Sequence, residues 1–225
     1  MITDDPGTPG NNHWEINVAW TDMRTPGLNA VGLPLLDANY GVGDRIQLNY
    51  QASWNIVRGA DEEAQDGMSD SQIALKWRFY DAGDTGLQVS TYPRITFPNP
   101  GSDSDHRDTA DPETTFLLPF EARRDFGILA INADFGYTFS SGAEDRGWTG
   151  GVCVGREVSK GWELDGELHA TSSDRLQRSE VILNLGTRFD LSENSTLLLA
   201  IGRDAHNSLG PRASLLAYLG IQWRR

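Results

Sequence analysis

Arg45-Ile46-Gln47-Leu48-Asn49-Tyr50-Gln51-Ala52-Ser53-Trp54-Asn55-Ile56 alternates between two kinds of side chain. Ile46, Leu48, Tyr50, Ala52, Trp54 and Ile56 form an apolar set, and Gln47, Asn49, Gln51, Ser53 and Asn55 form an uncharged polar set. A period of two belongs to a β-strand, whose successive side chains point to opposite faces. The stretch exceeds the usual strand of about five to six residues. It matches the roughly nine to eleven residues with which a tilted strand crosses a bilayer. In a soluble sheet the apolar set would meet a core. In a membrane barrel Leu48, Tyr50 and Ala52 would meet lipid, and the amide row would line the interior.

Outward from this stretch the same unit recurs. Alternating segments are expected at His13–Asp22, 33–40, 72–80, 87–97, 114–123, 128–139, 148–156, 162–170, 180–189, 196–203 and 213–223, which with 45–56 makes about twelve strands. The 87–97 segment contains Pro93, which cannot donate to a sheet ladder. Residues 23–32 read as a loop with Pro26-Gly27, residues 57–70 and 98–112 as long acidic loops, and 171–178 as a further loop. Short turns such as Gly41-Val42-Gly43-Asp44 and Ser159-Lys160-Gly161 alternate with these. Short turns at one end and longer loops at the other, with Trp14, Trp54, Trp77, Trp148, Trp162 and Trp223 near strand ends, are the pattern of an outer-membrane barrel with aromatic girdles. The expected fold is therefore all-β: a closed up-and-down antiparallel transmembrane β-barrel over residues 13–225, behind an irregular leader at 1–12. A soluble sandwich or lipocalin-like barrel is the competing fold. Strand length and loop alternation weigh against it.

Composition agrees. The 225 residues suffice for one such barrel. A hydrophobic content of 38% and a mean hydropathy of −0.45 look soluble, but a barrel spends only every second strand residue on lipid. No apolar run is long enough for a transmembrane helix. No basic segment followed by an apolar one opens the chain, so an exported chain would be in its mature form. Cys153 stands alone, which removes an intrachain disulfide and a multi-cysteine zinc site. A net charge of −13 argues against nucleic acid as a partner.

Three stretches resemble a known family. Thr3-Asp4-Asp5-Pro6-Gly7-Thr8 with His13-Trp14-Glu15 is similar to the mature start of the transporter-like outer-membrane proteins of the meta-pathway phenol-degradation family. Tyr40-Gly41-Val42-Gly43-Asp44-Arg45-Ile46-Gln47-Leu48 resembles its first turn and following strand, and Ala74-Leu75-Lys76-Trp77-Arg78-Phe79 its next basic strand. The match in motif covers about the first third of the chain. It implies an outer-membrane barrel through which aromatic or other hydrophobic compounds pass, and it carries over no catalytic residues. The end Trp223-Arg224-Arg225 departs from the terminal aromatic of many barrels.

The inward set holds whatever chemistry there is. Glu15, Asp37, Gln47, Asn49, Gln51, Lys76, Arg78, Arg94, Glu121, Arg123, Asp134, Glu163, Asp165, Glu167, His169 and Arg188 are expected to line the lumen. Twelve strands give a backbone diameter on the order of 24 Å, which leaves a narrow passage once side chains are added. Glu163, Asp165, Glu167 and His169 share one strand face, where a metal site or a general-base pair weighs less than plain lumen charge balanced by cations. Lys76, Arg78 and Arg94 are expected nearly opposite, so the two walls either bridge directly or face each other across water. Asp103-Ser104-Asp105-His106-Arg107-Asp108 lacks the Gly of a calcium loop, and the acidic loops 61–70 and 103–111 read as solvated. No Gly-x-Ser-x-Gly elbow supports a hydrolase, although Ser172 and Ser173 lie near His169.

The functional expectation is a narrow outer-membrane channel for passive uptake of small hydrophobic or aromatic compounds, with no cofactor and no enzymatic role. Its partners would be membrane lipid, lipopolysaccharide and a small-molecule solute. Both termini would lie in the periplasm of a Gram-negative bacterium. The alternative is a non-transporting barrel with a structural or surface-interaction role through its acidic loops.

Overall fold

A computed structural model describes residues 1–60, 63–83, 86–99, 109, 113–140 and 146–225. The strands are β1 (Trp14–Thr25), β2 (Leu28–Val42), β3 (Ile46–Gly59), β4 (Gln65–Asp81), β5 (Leu87–Thr91), β6 (Arg94–Phe97), β7 (Thr115–Phe126), β8 (Leu129–Ser140), β9 (Gly147–Ser159), β10 (Trp162–Ser173), β11 (Ser179–Ser192), β12 (Ser195–Asn207) and β13 (Leu215–Arg224). Sequential neighbours pair antiparallel, and β1 pairs with β13 through Val18↔Ile221 and Trp20↔Leu219, which closes the ring. β5 and β6 share one place between β4 and β7, so the thirteen segments make a closed twelve-stranded antiparallel barrel.

The barrel is inside-out. Leu48 and Tyr50 are 46% and 41% exposed, whereas Gln47 and Asn49 are each 7% exposed. On β10, Leu164 and Leu168 face out while Glu167 and His169 are buried. A soluble barrel would reverse this, so the apolar belt is a lipid face and the polar rows are the interior. Apolar side chains gain nothing from the interior of such a barrel. The outer face is their only low-dielectric surroundings.

Ala52 departs from the expectation and is buried. The Tyr50 hydroxyl reaches Ser71 Oγ at 3.0 Å, and Ser71 is the partner of Ala52 in the ladder, so the Tyr50 ring lies across the small side chain. The expected loop at 23–32 is instead continuous strand, with Met23 paired to Ala30 and Thr25 to Leu28. Pro26 and Gly27 are the whole turn, and Gly27 takes a positive φ (85°) that glycine adopts without strain, behind a proline whose ring fixes a negative φ. Strand also replaces loop at 57–59, 65–70 and 171–173. Pairing propagates past the apolar pattern because each added rung satisfies backbone groups regardless of side chain.

The break between β5 and β6 falls at Tyr92-Pro93. Thr91 pairs with Phe120 and Arg94 with Leu117, which sets Tyr92-Pro93 beside Leu118-Pro119. Two prolines therefore meet across one seam, each without an N–H to give. The Thr91 hydroxyl partly restores the seam by donating to the Pro119 carbonyl at 2.7 Å.

Candidate functional site: the barrel lumen

The first interior feature is an amide cluster. Antiparallel register places Asn39 beside Asn49 and Asn17 beside Asp37. Asn17 Nδ2 donates to Asp37 Oδ2 at 2.9 Å, Gln47 Nε2 and Asn49 Nδ2 donate to Asn39 Oδ1 at 2.7 and 2.8 Å, and Gln72 Nε2 donates to Asn49 Oδ1 at 3.3 Å. Buried amides tolerate such a site because each NH2 group finds an acceptor.

A basic wall follows on β4 to β7. Lys76 is 2% exposed. Its Nζ lies 3.6 Å from Glu121 Oε2 and 4.6 Å from the centre of the Tyr92 ring. The Arg94 guanidinium lies 5.0 Å from the same ring. Ser90 Oγ donates to Glu121 Oε2 at 2.7 Å. The opposing acidic wall is β10, where Glu163, Asp165, Glu167 and His169 follow at every second position. Asn184 Nδ2 donates to Glu167 Oε2 at 2.6 Å, and His169 Nε2 lies 3.1 Å from Thr149 Oγ1.

These walls neither bridge nor stand apart. Residues 1–12, which form no strand, pass into the barrel from the short-turn end and lie between them. The Ile2 N–H donates to Glu167 Oε1 at 2.8 Å, and the Thr3 N–H donates to the same oxygen. Lys76 Nζ donates to Asp4 Oδ1 at 2.9 Å and to the Asp5 carbonyl. Arg123 Nη1 lies 3.9 Å from Asp5 Oδ2. Pro6 is fully buried. The base of the segment is stitched to the rim: Asn12 N–H donates to the Gly41 carbonyl at 3.0 Å and Gly43 N–H to Asn11 Oδ1 at 3.0 Å. Burial alone would push the Asp5 carboxyl up, but Lys76, Arg188, Arg123 and the Gly7 N–H outweigh it and hold it below its ordinary value.

A cavity of about 1290 Å³ remains between this segment and the walls. It reaches the short-turn rim at Gly127-Ile128, Gly161-Trp162 and Arg224-Arg225. Of the residues singled out from sequence, Glu15, Asp37, Gln47, Gln51, Lys76, Arg94, Arg123, Glu163, Asp165 and Arg188 line it. Asn49, Glu121, Glu167 and His169 are buried in the interior around it, and Asp134 is half-buried on β8. Arg78 sits at the rim, donating to the Asp44 carbonyl at 2.8 Å and ion-paired with Asp81 at 3.1 Å, because its strand ends there. Thr3, Asp4, Asp5 and Asn184 were not among the expected residues. A leader without periodicity carries no signal of where it docks, whereas Tyr92 shares the polar face of the 87–97 segment with Ser90 and Arg94. The Asp4-Asp5 pair was the one available cue, as acids complementary to Lys76 and Arg123.

Among the described residues no group of three metal-ligating side chains converges. Asp61, Glu62, Asp103, Asp105, Asp108 and Asp111, weighed as calcium ligands, lie outside the described residues.

The chain has the fold of outer-membrane channels. It superposes on an outer membrane channel from Pseudomonas putida F1 with a TM-score of 0.83 and 14% identity over 100% of both chains. The KdgM porin, solved in complex with disordered oligogalacturonate, matches at a TM-score of 0.59 and 10% identity over 92% of this chain and 98% of that one. The CymD monoaromatic hydrocarbon channel matches at 0.51 and 8% over 95% and 88%. No family model matches the sequence, and neither does any curated protein compared with it.

Proposed function

We propose that the chain is a narrow, gated channel for passive passage of small compounds across the outer membrane of a Gram-negative bacterium. The observation that carries this reading is the N-terminal segment. The lumen is obstructed by a strap that is not part of its wall, residues 1–12, and a cavity of about 1290 Å³ opens beside it to the short-turn rim. A lumen packed shut by its own wall would need no such strap. In this reading the inward residues named above line the pore, with Arg78 at its mouth. The short turns and both termini face the periplasm, and the longer loops face outward beside lipopolysaccharide. No catalytic role is assigned.

The solute class is drawn from two supports. The stretches around Thr3–Thr8, Tyr40–Leu48 and Ala74–Phe79 resemble the phenol-degradation family, and one structural neighbour is a monoaromatic hydrocarbon channel. The charged and amide lining adds that the solute carries a polar group, since a purely apolar molecule finds no partner on these walls. A non-transporting barrel is the second reading, favoured by the hydrogen bonds that hold the strap in place.

Liposome swelling with phenol, aromatic acids and small sugars tests the pair. Swelling with at least one of them supports the channel. Swelling with none, in wild type and in a variant whose strap is released, leaves the structural reading. In planar bilayers, Glu163→Gln with Asp165→Asn should move the reversal potential toward anion selectivity, because two acids of the pore wall are then neutral.

A further inference from the structure

Residues 2–5 answer two walls of opposite sign at once. At one end, Glu167 Oε1 accepts the Ile2 and Thr3 N–H groups. At the other, the Asp4 carboxylate meets Lys76 and the Asp5 carboxylate meets Arg123. None of these contacts requires a polypeptide. They need a hydrogen-bond donor at one end of a molecule and a carboxylate at the other. Two residues separate the two ends, at most about 7 Å of backbone, which is close to the span of a single aromatic ring with groups at its opposite ends.

The cationic end is built independently of the strap. Lys76 and Arg94 both lie against the Tyr92 ring, which is buried and held on the wall. Arg94 Nε is buried without a hydrogen-bond partner, and Arg94 and Arg188, both lining the cavity, make no ion pair among the described residues. The wall therefore keeps donors in reserve beyond those the strap uses, and a buried, unpaired guanidinium N–H is costly unless something fills it.

We propose that this part of the lumen is a binding site for a small carboxylate that carries a hydrogen-bond donor one aromatic ring away, and that residues 2–5 are its internal stand-in. The proposal rests on the channel reading above and names its solute class. Strap and solute then compete for the same residues, so the carboxylate that enters is also the one that displaces the strap. Glu167 takes the donor, Lys76 and Arg123 take the carboxylate, and Arg94 adds a second guanidinium.

The test is calorimetric titration of the full-length barrel in detergent with 4-hydroxybenzoate, using benzoate and phenol as probes that each lack one end. Asp4→Asn with Asp5→Asn weakens the strap's hold and leaves the wall intact. In that variant 4-hydroxybenzoate should bind about tenfold tighter than in wild type, the worth of one charge-assisted hydrogen bond regained. Benzoate and phenol should each bind at least about tenfold more weakly, since a site built for a polar group rejects the analogue that lacks it. Adding Arg123→Gln to the same background should remove the gain. Equal affinity in wild type and variant, or phenol binding as well as 4-hydroxybenzoate, overturns the proposal. Liposome swelling on the same samples separates the two levels. Sugar-driven swelling without carboxylate binding keeps the channel and refutes the site, whereas binding without passage of any solute keeps the site and refutes the channel.

Discussion

Lys76 Nζ donates to the Asp4 carboxylate at 2.9 Å across 72 positions of sequence. This contact ties the strap to the barrel wall. An ammonium this deeply buried requires compensation, and it receives it from Asp4, from the Asp5 carbonyl and from Glu121. Glu121 is likewise 1% exposed and relies on Lys76 and Ser90.

Removing one member of that pair should therefore hurt more than removing both. Lys76→Gln leaves Glu121 buried without its countercharge and is expected to destabilise the barrel by about 3 kcal/mol. Adding Glu121→Gln should restore most of the loss. Urea unfolding in lipid vesicles measures both. A double variant no more stable than the single one would show that the two charges do not compensate each other.

The strap can be released at its base without touching the lumen. Gly41 packs against Gly10, and a Cβ placed on it would collide with the Gly10 carbonyl oxygen. Gly41→Ala should lift residues 10–12 from the rim, weaken the Asn12–Gly41 bond and raise the open fraction of single channels in planar bilayers. The barrel itself should keep its thermal stability, since Gly41 pairs near the end of β2. Unchanged gating would mean that the strap is held by its inner contacts alone.

Acid should open the same gate. Asp5 faces Lys76, Arg123 and Arg188, with Glu15 and Glu163 nearby, and its carboxyl is held below the ordinary value of 3.8. A lowered carboxylate contributes its stabilisation above the ordinary value and loses it as pH falls through the docked one. Conductance should therefore stay low from neutral pH down to about 4 and rise only in more acidic solution. Asp5→Asn should flatten that rise. A wild-type transition centred near pH 6 would assign the control to another group.

The lipid face sets a separate expectation. Leu48 is half-exposed on the outer belt and Asn49 beside it is buried. Leu48→Arg should cost about 2–4 kcal/mol if the residue sits near the bilayer midplane. Because a soluble core would also suffer from that substitution, the decisive measurement is the state of the wild type without detergent. A monodisperse folded monomer in plain buffer would sink the membrane assignment.

Strand parity and strand length were legible from the amino-acid order alone. Gln47, Asn49 and Gln51 alternate with Leu48 and Tyr50 over a span that fits a bilayer, and repetition of that unit predicts a twelve-stranded barrel. These features are legible because a strand's faces are decided by neighbours two residues apart. Strand ends were less legible. Met23–Thr25 and Thr171–Ser173 lack the alternation, yet backbone pairing carries β1 and β10 through them. Three features needed the closed barrel: the shading of Ala52 by Tyr50, the meeting of Tyr92-Pro93 with Pro119 across one seam, and the joining of Glu167 to Lys76 through Ile2–Asp5. The last of these links residues up to 165 positions apart, and a leader with no periodicity reveals its place only when a closed wall brings its donors and acceptors together.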